Sequence, residues 1–105
     1  MNMFFDFTIT RSSIDNGRLY FESIQRDFFP TDAIGGRSAD EHTVNKIVID
    51  AAGQEIETDI RFSSSVRLSP RKSFRQWMRS QRVAEGGRAR LHRVSSQSFR
   101  LEYLG

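Results

Sequence analysis

Short blocks of alternating apolar and polar residues, each soon cut off by a turn signal, constrain this 105-residue chain more than any other feature. Met3, Phe5, Phe7 and Ile9 alternate with Phe4, Asp6, Thr8 and Thr10, and Ile56, Thr58, Ile60 and Phe62 alternate with Glu55, Glu57, Asp59 and Arg61. Successive side chains of a strand point to opposite faces, so each block offers one face to a core and one to water. Ala89 and Leu91 alternate with basic and polar residues in RARLHRV, and Phe99, Leu101 and Tyr103 do the same at the end of the chain. RLYFESI (residues 18–24) and KIVID (residues 46–50) are rich in β-formers. Val66-Arg67-Leu68, after three serines, fits an edge strand or a loop.

The punctuation between these blocks is tight. Asn16-Gly17 predicts a two-residue hairpin turn between the first two strands, because both residues tolerate positive φ. Ala51 to Gln54, Glu85-Gly86-Gly87 and Ser95-Ser96-Gln97 supply further turns. Phe28-Phe29-Pro30 leads into TDAIGG, which reads as one helical turn with Thr31 as its cap and the glycines as its end. RSADEHTVN, residues 37–45, has no period and reads as loop.

A longer helix is expected from Ser69-Pro70 or Ser73 to about Gln81, either serine serving as N-cap. At ~100° per residue, Phe74, Trp77 and Met78 fall on one stripe, and Arg71, Arg75, Arg79 and Arg82 share an adjacent arc. The three apolar residues are more simply core than a platform for stacking bases. The fold class is therefore mainly β (α+β), about seven short strands with one short and one longer helix, a small open barrel or sandwich. A chain of this length supports one modest core, and a single domain over residues 1–105 is expected.

Charge is the second constraint. Residues 1–60 hold five basic and eleven acidic side chains, a balance of −6, and residues 61–105 hold eleven and two, a balance of +9. Residues 61–94 alone set ten basic residues against Glu85. Such asymmetry points to a polyanion, unless the two halves interleave and their charges pair within the fold. Short hydroxyls beside long cations suit phosphates, and a guanidinium can donate two hydrogen bonds to a base edge in the major groove.

Several classes are disfavoured. With no Cys there is no disulfide framework, thiolate metal site or thiol nucleophile, and no Walker-type loop is present. Asp40-Glu41-His42 lacks a second cluster to complete a metal site, and the Glu57 and Asp59 pair has the spacing of an ordinary exposed strand face. No enzymatic activity and no cofactor are expected. The first residues lack the features of a signal peptide, and no run nears the ~20 apolar residues of a membrane span. A cytoplasmic or nucleoid-associated protein without membrane contact is expected.

The order of parts resembles the B3-like DNA-binding pseudobarrel of plant transcription factors and of the recognition domains of some bacterial type II restriction endonucleases. The likeness lies in the strand leading to FFPTDAIGG, the hairpin GQEIETDIRF, the helix-to-strand segment SFRQWMRSQRVAEGGRARLHRV and the closing SFRLEYL. It implies a seven-stranded open barrel with two helices that grips double-stranded DNA in the major groove with two arms. The second arm would fall on residues 61–73, giving Arg61, Ser63, Ser64, Arg67, Arg71 and Lys72 the contact role; from the charge pattern itself, Arg71 and Arg75 are expected to neutralise phosphates. The first arm would be residues 11–18, with Arg11 and Arg18, or residues 25–27, with Arg26. Gly87 stands where the family usually has Asp. No nuclease part is attached, so the resemblance implies sequence- or modification-selective binding and not cleavage. The rival reading is a self-association or protein-docking module built on the acidic and basic halves. The oligomeric state is not legible.

Overall fold

The computed structural model describes residues 3–30, 34–35, 46–62 and 66–105. In chain order these form β1 (Phe4–Thr8), α1 (Arg11–Asn16), β2 (Tyr20–Phe21), a 3-10 helix (Ser23–Phe28), β3 (Ile34–Gly35), β4 (Ile47–Ala51), β5 (Gln54–Thr58), β6 (Ile60–Phe62), β7 (Val66–Leu68), α2 (Lys72–Ser80), β8 (Arg88–Arg93) and β9 (Ser98–Tyr103). The strands make a five-stranded sheet ordered β1-β8-β9-β4-β5 and a four-stranded sheet ordered β2-β7-β6-β3. Pairing is antiparallel except at β4 with β9 and β3 with β6. The α+β, mainly β class is as expected, and the described sheets form no closed barrel.

The alternation works as anticipated in the five-stranded sheet. Phe7 lies opposite Ala89, Leu91 opposite Leu101, and Ile49 opposite both Phe99 and Ile56, so one face is continuously apolar. Val66, Leu68 and Ile60 supply the inner face of the smaller sheet and are fully buried. An aromatic cluster joins the two: Phe7 meets Phe21 edge-on at 4.9 Å, Phe21 stacks near Phe29 at 5.6 Å, and Phe29 reaches Phe99 at 5.3 Å. Each such ring contributes roughly 1.5–3 kcal/mol by burial. Phe74, Trp77 and Met78 bury the inner stripe of α2, with Trp77 edge-on to Tyr103, so the helix is anchored through these residues as the periodicity predicts.

Five local expectations are corrected. Asn16-Gly17 ends helix α1 instead of turning a hairpin. Thr10 Oγ1 accepts from the Ser13 amide at 3.2 Å, and Gly17, at φ 65°, donates to the Ser13 carbonyl. A type I′ hairpin needs positive φ at both residues, and only Gly17 has it. Residues 18–24 are not one strand: only Tyr20–Phe21 pair, and the chain then winds into the 3-10 helix. Ile34–Gly35, expected at the end of a helical turn, pair with β6 as a strand; Thr31 and the rest of that turn, and residues 37–45, with Asp40, Glu41 and His42, lie outside the described residues.

The fourth correction concerns α2, which starts at Lys72 with no side-chain cap. Ser69 is held instead by strand-like bonds, its amide donating to the Asp59 carbonyl and its carbonyl accepting from Thr58 Oγ1 at 3.0 Å. The block at residues 55–62 also breaks, at Asp59, where the chain leaves one sheet for the other. That break and the addition of β3 take the seven expected strands to nine segments among the described residues. At Gly87 the turn is intact: its amide donates to the Ala84 carbonyl and its carbonyl accepts from Ile9. A Cβ there would clash with the Tyr103 ring and crowd the Ala84 carbonyl, which favours glycine at this position.

Candidate nucleic-acid interface

The two sheets treat their outward-facing charges differently. On the five-stranded sheet Asp6 lies opposite Arg90, and Arg90 opposite Glu102. Arg90 donates from Nε to Asp6 Oδ1 at 2.7 Å, Arg88 reaches the same carboxylate at 3.6 Å, and His92 Nε2 stands 2.9 Å from Glu102 Oε1. The Arg90 hydrogen bond holds the Asp6 carboxyl below its usual range, and the bond to His92 does the same for Glu102. Here Asp6 of the acidic first half pairs with Arg88 and Arg90 of the basic second half, and this part of the basic run is structural.

The outer face of the four-stranded sheet is arranged otherwise. Tyr20 lies opposite Arg67, and Arg67 opposite Arg61, so two guanidinium side chains face each other across β6 and β7. Like charges placed directly opposite repel unless a counter-charge stands beside them. Asp59 is the neighbouring carboxylate. Its side chain is 10% exposed, and it accepts from Arg61 Nε at 2.9 Å and pairs with Arg71 at 3.5 Å. The expectation that Asp59 shares a wet strand face with Glu57 is therefore corrected. Glu57 is exposed and pairs with Lys46, whereas Asp59 is enclosed, because a buried carboxylate is stable only when paired and hydrogen-bonded.

Arg71 is tied on three sides. Besides Asp59 it donates from Nε to the Glu57 carbonyl at 3.1 Å and from a terminal nitrogen to the Pro70 carbonyl at 2.8 Å, and its amide bonds to the Gly17 carbonyl. Arg18 donates from Nε to the Leu68 carbonyl at 2.8 Å and leans over the Tyr20 ring. Arg26, on the 3-10 helix, lies 4.7 Å above the Phe62 ring, so the segment at 25–27 sits directly beside the end of β6. Ser63 and Ser64 lie outside the described residues.

Three predicted residues sit elsewhere. Arg11 is exposed on α1 and pairs with Asp15 one turn on, at 3.5 Å. Arg75 reaches from α2 to the Ile14 and Asp15 carbonyls at the end of α1, a cation on the negative end of a helix. Its close packing on Gly17, where a Cβ would lie 2.8 Å from Arg75 Nε, fixes the two helices against each other. Lys72 is exposed at the start of α2.

The fold thus gathers Arg18, Arg61, Arg67 and Arg71 around Asp59 and Tyr20, with Arg26 at the rim, and leaves Arg11 apart. Sequence reasoning missed Tyr20 and Asp59. The one available signal for Asp59 was that it is the last carboxylate before the basic run. Among the described residues no three acidic or histidine side chains converge as a metal site would need, and no helix is long and apolar enough to cross a membrane.

No protein-family description matches the chain, and no curated protein matches it. Among solved structures, the chain is similar to the N-terminal domain of Helicobacter pylori LlaJI.R1, with a TM-score of 0.62 over 97% of this chain and 87% of that one. At 11% sequence identity the likeness is one of fold.

Proposed function

We propose that the chain is a double-stranded DNA-binding domain of the B3-like kind, selective for a sequence or a modification, with no catalysis of its own. The observation that carries this reading is the cross-strand pair Arg61 and Arg67, set beside Tyr20 on the outer face of the four-stranded sheet, with Arg61 braced by Asp59. Bracing matters because a long side chain held in place before binding loses little freedom on contact. In this reading Arg61 and Arg67 address base edges in the major groove, where an arginine donates two hydrogen bonds to guanine. Residues 61–73 form one arm. Of the two candidates for the other, residues 25–27 are favoured, because Arg26 packs on Phe62 at the root of the first arm. Arg71 and Lys72 address phosphates. The fold likeness over nearly the whole chain supports the resemblance read from the sequence.

The test is selection from a pool of random duplexes, methylated and unmethylated, at low salt. A recurring motif among the retained duplexes is expected. Absence of any retained duplex ends the proposal.

A further inference from the structure

We infer that the outer stripe of α2 is a rail for the sugar-phosphate backbone, running from the reading face to a groove closed by Arg79 and Arg82. This rests on the DNA-binding reading and extends it to residues outside both arms. Lys72, Arg75 and Arg79 follow each other at spacings of three and four, which places them on one side of α2, and Arg82 stands just past its end, lining the same groove as Arg75 and Arg79. The three on the helix span roughly 10 Å at 1.5 Å per residue. One strand of a duplex carries a phosphate about every 3.4 Å along its axis, so the helical stripe matches a run of about three.

Two concavities lie along this line. One, of about 260 Å³, is lined by Asn16, Pro70, Arg71, Lys72 and Arg75 and adjoins the Asp59 cluster through Arg71. The other, of about 320 Å³, has Ile14, Met78 and Val83 on its floor and Arg75, Arg79 and Arg82 on its rim. Arg75 belongs to both and is spoken for by the α1 carbonyls, so it lends charge while Arg79 and Arg82 remain to donate. Among the described residues neither of these two, nor Lys72, makes an ion pair or a side-chain hydrogen bond. An apolar floor under a guanidinium rim fits a chain of sugars and phosphates: the deoxyribose rests on the aliphatic side chains and the phosphate accepts from arginine.

The end of α2 adds an independent reason. The Val83 amide donates to the Met78 carbonyl and the Arg82 amide to the Arg79 carbonyl, the paired bonds that usually close a helix on a left-handed glycine. The residue in the left-handed position here is Arg82, at φ 53°. An L side chain is strained there, and strain held at a site with no internal partner for its guanidinium points to an external one.

The test compares binding of a labelled duplex over a salt series by the intact chain and its variants. For R79A/R82A the plot of log affinity against log salt should become shallower by about 1.8, two phosphates at about 0.9 each, with base preference unchanged. R79K/R82K should recover most of the slope. R82G should keep or raise the Tm by relieving the left-handed arginine while still weakening binding, which separates the role in binding from any role in folding. An unchanged slope in R79A/R82A, with binding lost in R61A/R67A, overturns the rail and leaves the DNA reading standing. An altered base preference in R79A/R82A overturns it too, by making the stripe a reader. A wild-type chain that binds no duplex ends the DNA reading, and the rail with it.

Discussion

The outer faces of the two sheets both carry arginines and use them in opposite ways. On the five-stranded sheet Arg88 and Arg90 converge on Asp6, and His92 on Glu102, in a ladder whose rungs alternate in sign. On the four-stranded sheet Arg61 and Arg67 oppose each other, and the balancing carboxylate, Asp59, sits at the corner where the chain changes sheets. A count of basic residues along the sequence cannot separate these situations. In the first arrangement two carboxylates meet Arg88, Arg90 and His92, and in the second the carboxylate of Asp59 meets Arg61 and Arg71.

That contrast can be broken in three ways, taken from the largest expected effect. Removing both arginines of the smaller sheet in R61A/R67A should weaken binding to a selected duplex by about 2–6 kcal/mol, at 1–3 kcal/mol per base contact, as measured by fluorescence anisotropy. R88A/R90A, a change of equal charge on the other sheet, should leave base discrimination intact; equal losses from both variants would erase the distinction between the faces. Next, Asp59→Asn should cost about 2–3 kcal/mol in urea unfolding, the figure for breaking a buried pair scaled down because Arg71 is partly exposed. Asp6→Asn, a more open site, should cost less, and the reverse order would mean that the corner is not braced as described.

The smallest effect is one of pH. Asp6 and Glu102 titrate below their ordinary values of 3.8 and 4.5 in the folded chain, Asp6 chiefly through its bond from Arg90 and Glu102 through its bond with His92. Lowered carboxyls contribute stability that is present above those values and is lost as the pH falls through the lower folded ones. The doubly neutral variant D6N/E102Q should therefore show a shallower loss of stability on acidification than the wild type, followed by the far-ultraviolet circular dichroism midpoint in urea. Identical acid profiles would show that the ladder adds nothing measurable.

Much of this frame was legible in the sequence because it rests on local periodicity. The buried stripe of Phe74, Trp77 and Met78, the β4 to β5 hairpin across Ala52-Gly53 and the β8 and β9 strands all follow from spacing two or spacing three-to-four. What failed was ambiguous at short range. Asn16-Gly17 signals a left-handed residue, and a hairpin and a helix terminus both need one; the capping of α1 by Thr10 decides between them. Asp59 looks like its neighbours Glu55 and Glu57 until Arg71, twelve residues on, folds over it. The site suffered most, because the partner that decides whether each arginine is structural or exposed lies far away in the chain: Arg75 is claimed by α1 and Arg90 by β1.

The position of Asp59 also governs how tightly the face holds anions in general. Arg61 and Arg71 already donate to its carboxylate, so a phosphate arriving at either gains only the difference between the new contact and the old. Asp59 thus behaves as a built-in competitor, discounting the attraction to any passing polyanion. A ligand overcomes that discount by supplying several well-placed acceptors at once. In such a site weak general affinity and sharp discrimination are two readings of the same internal bond.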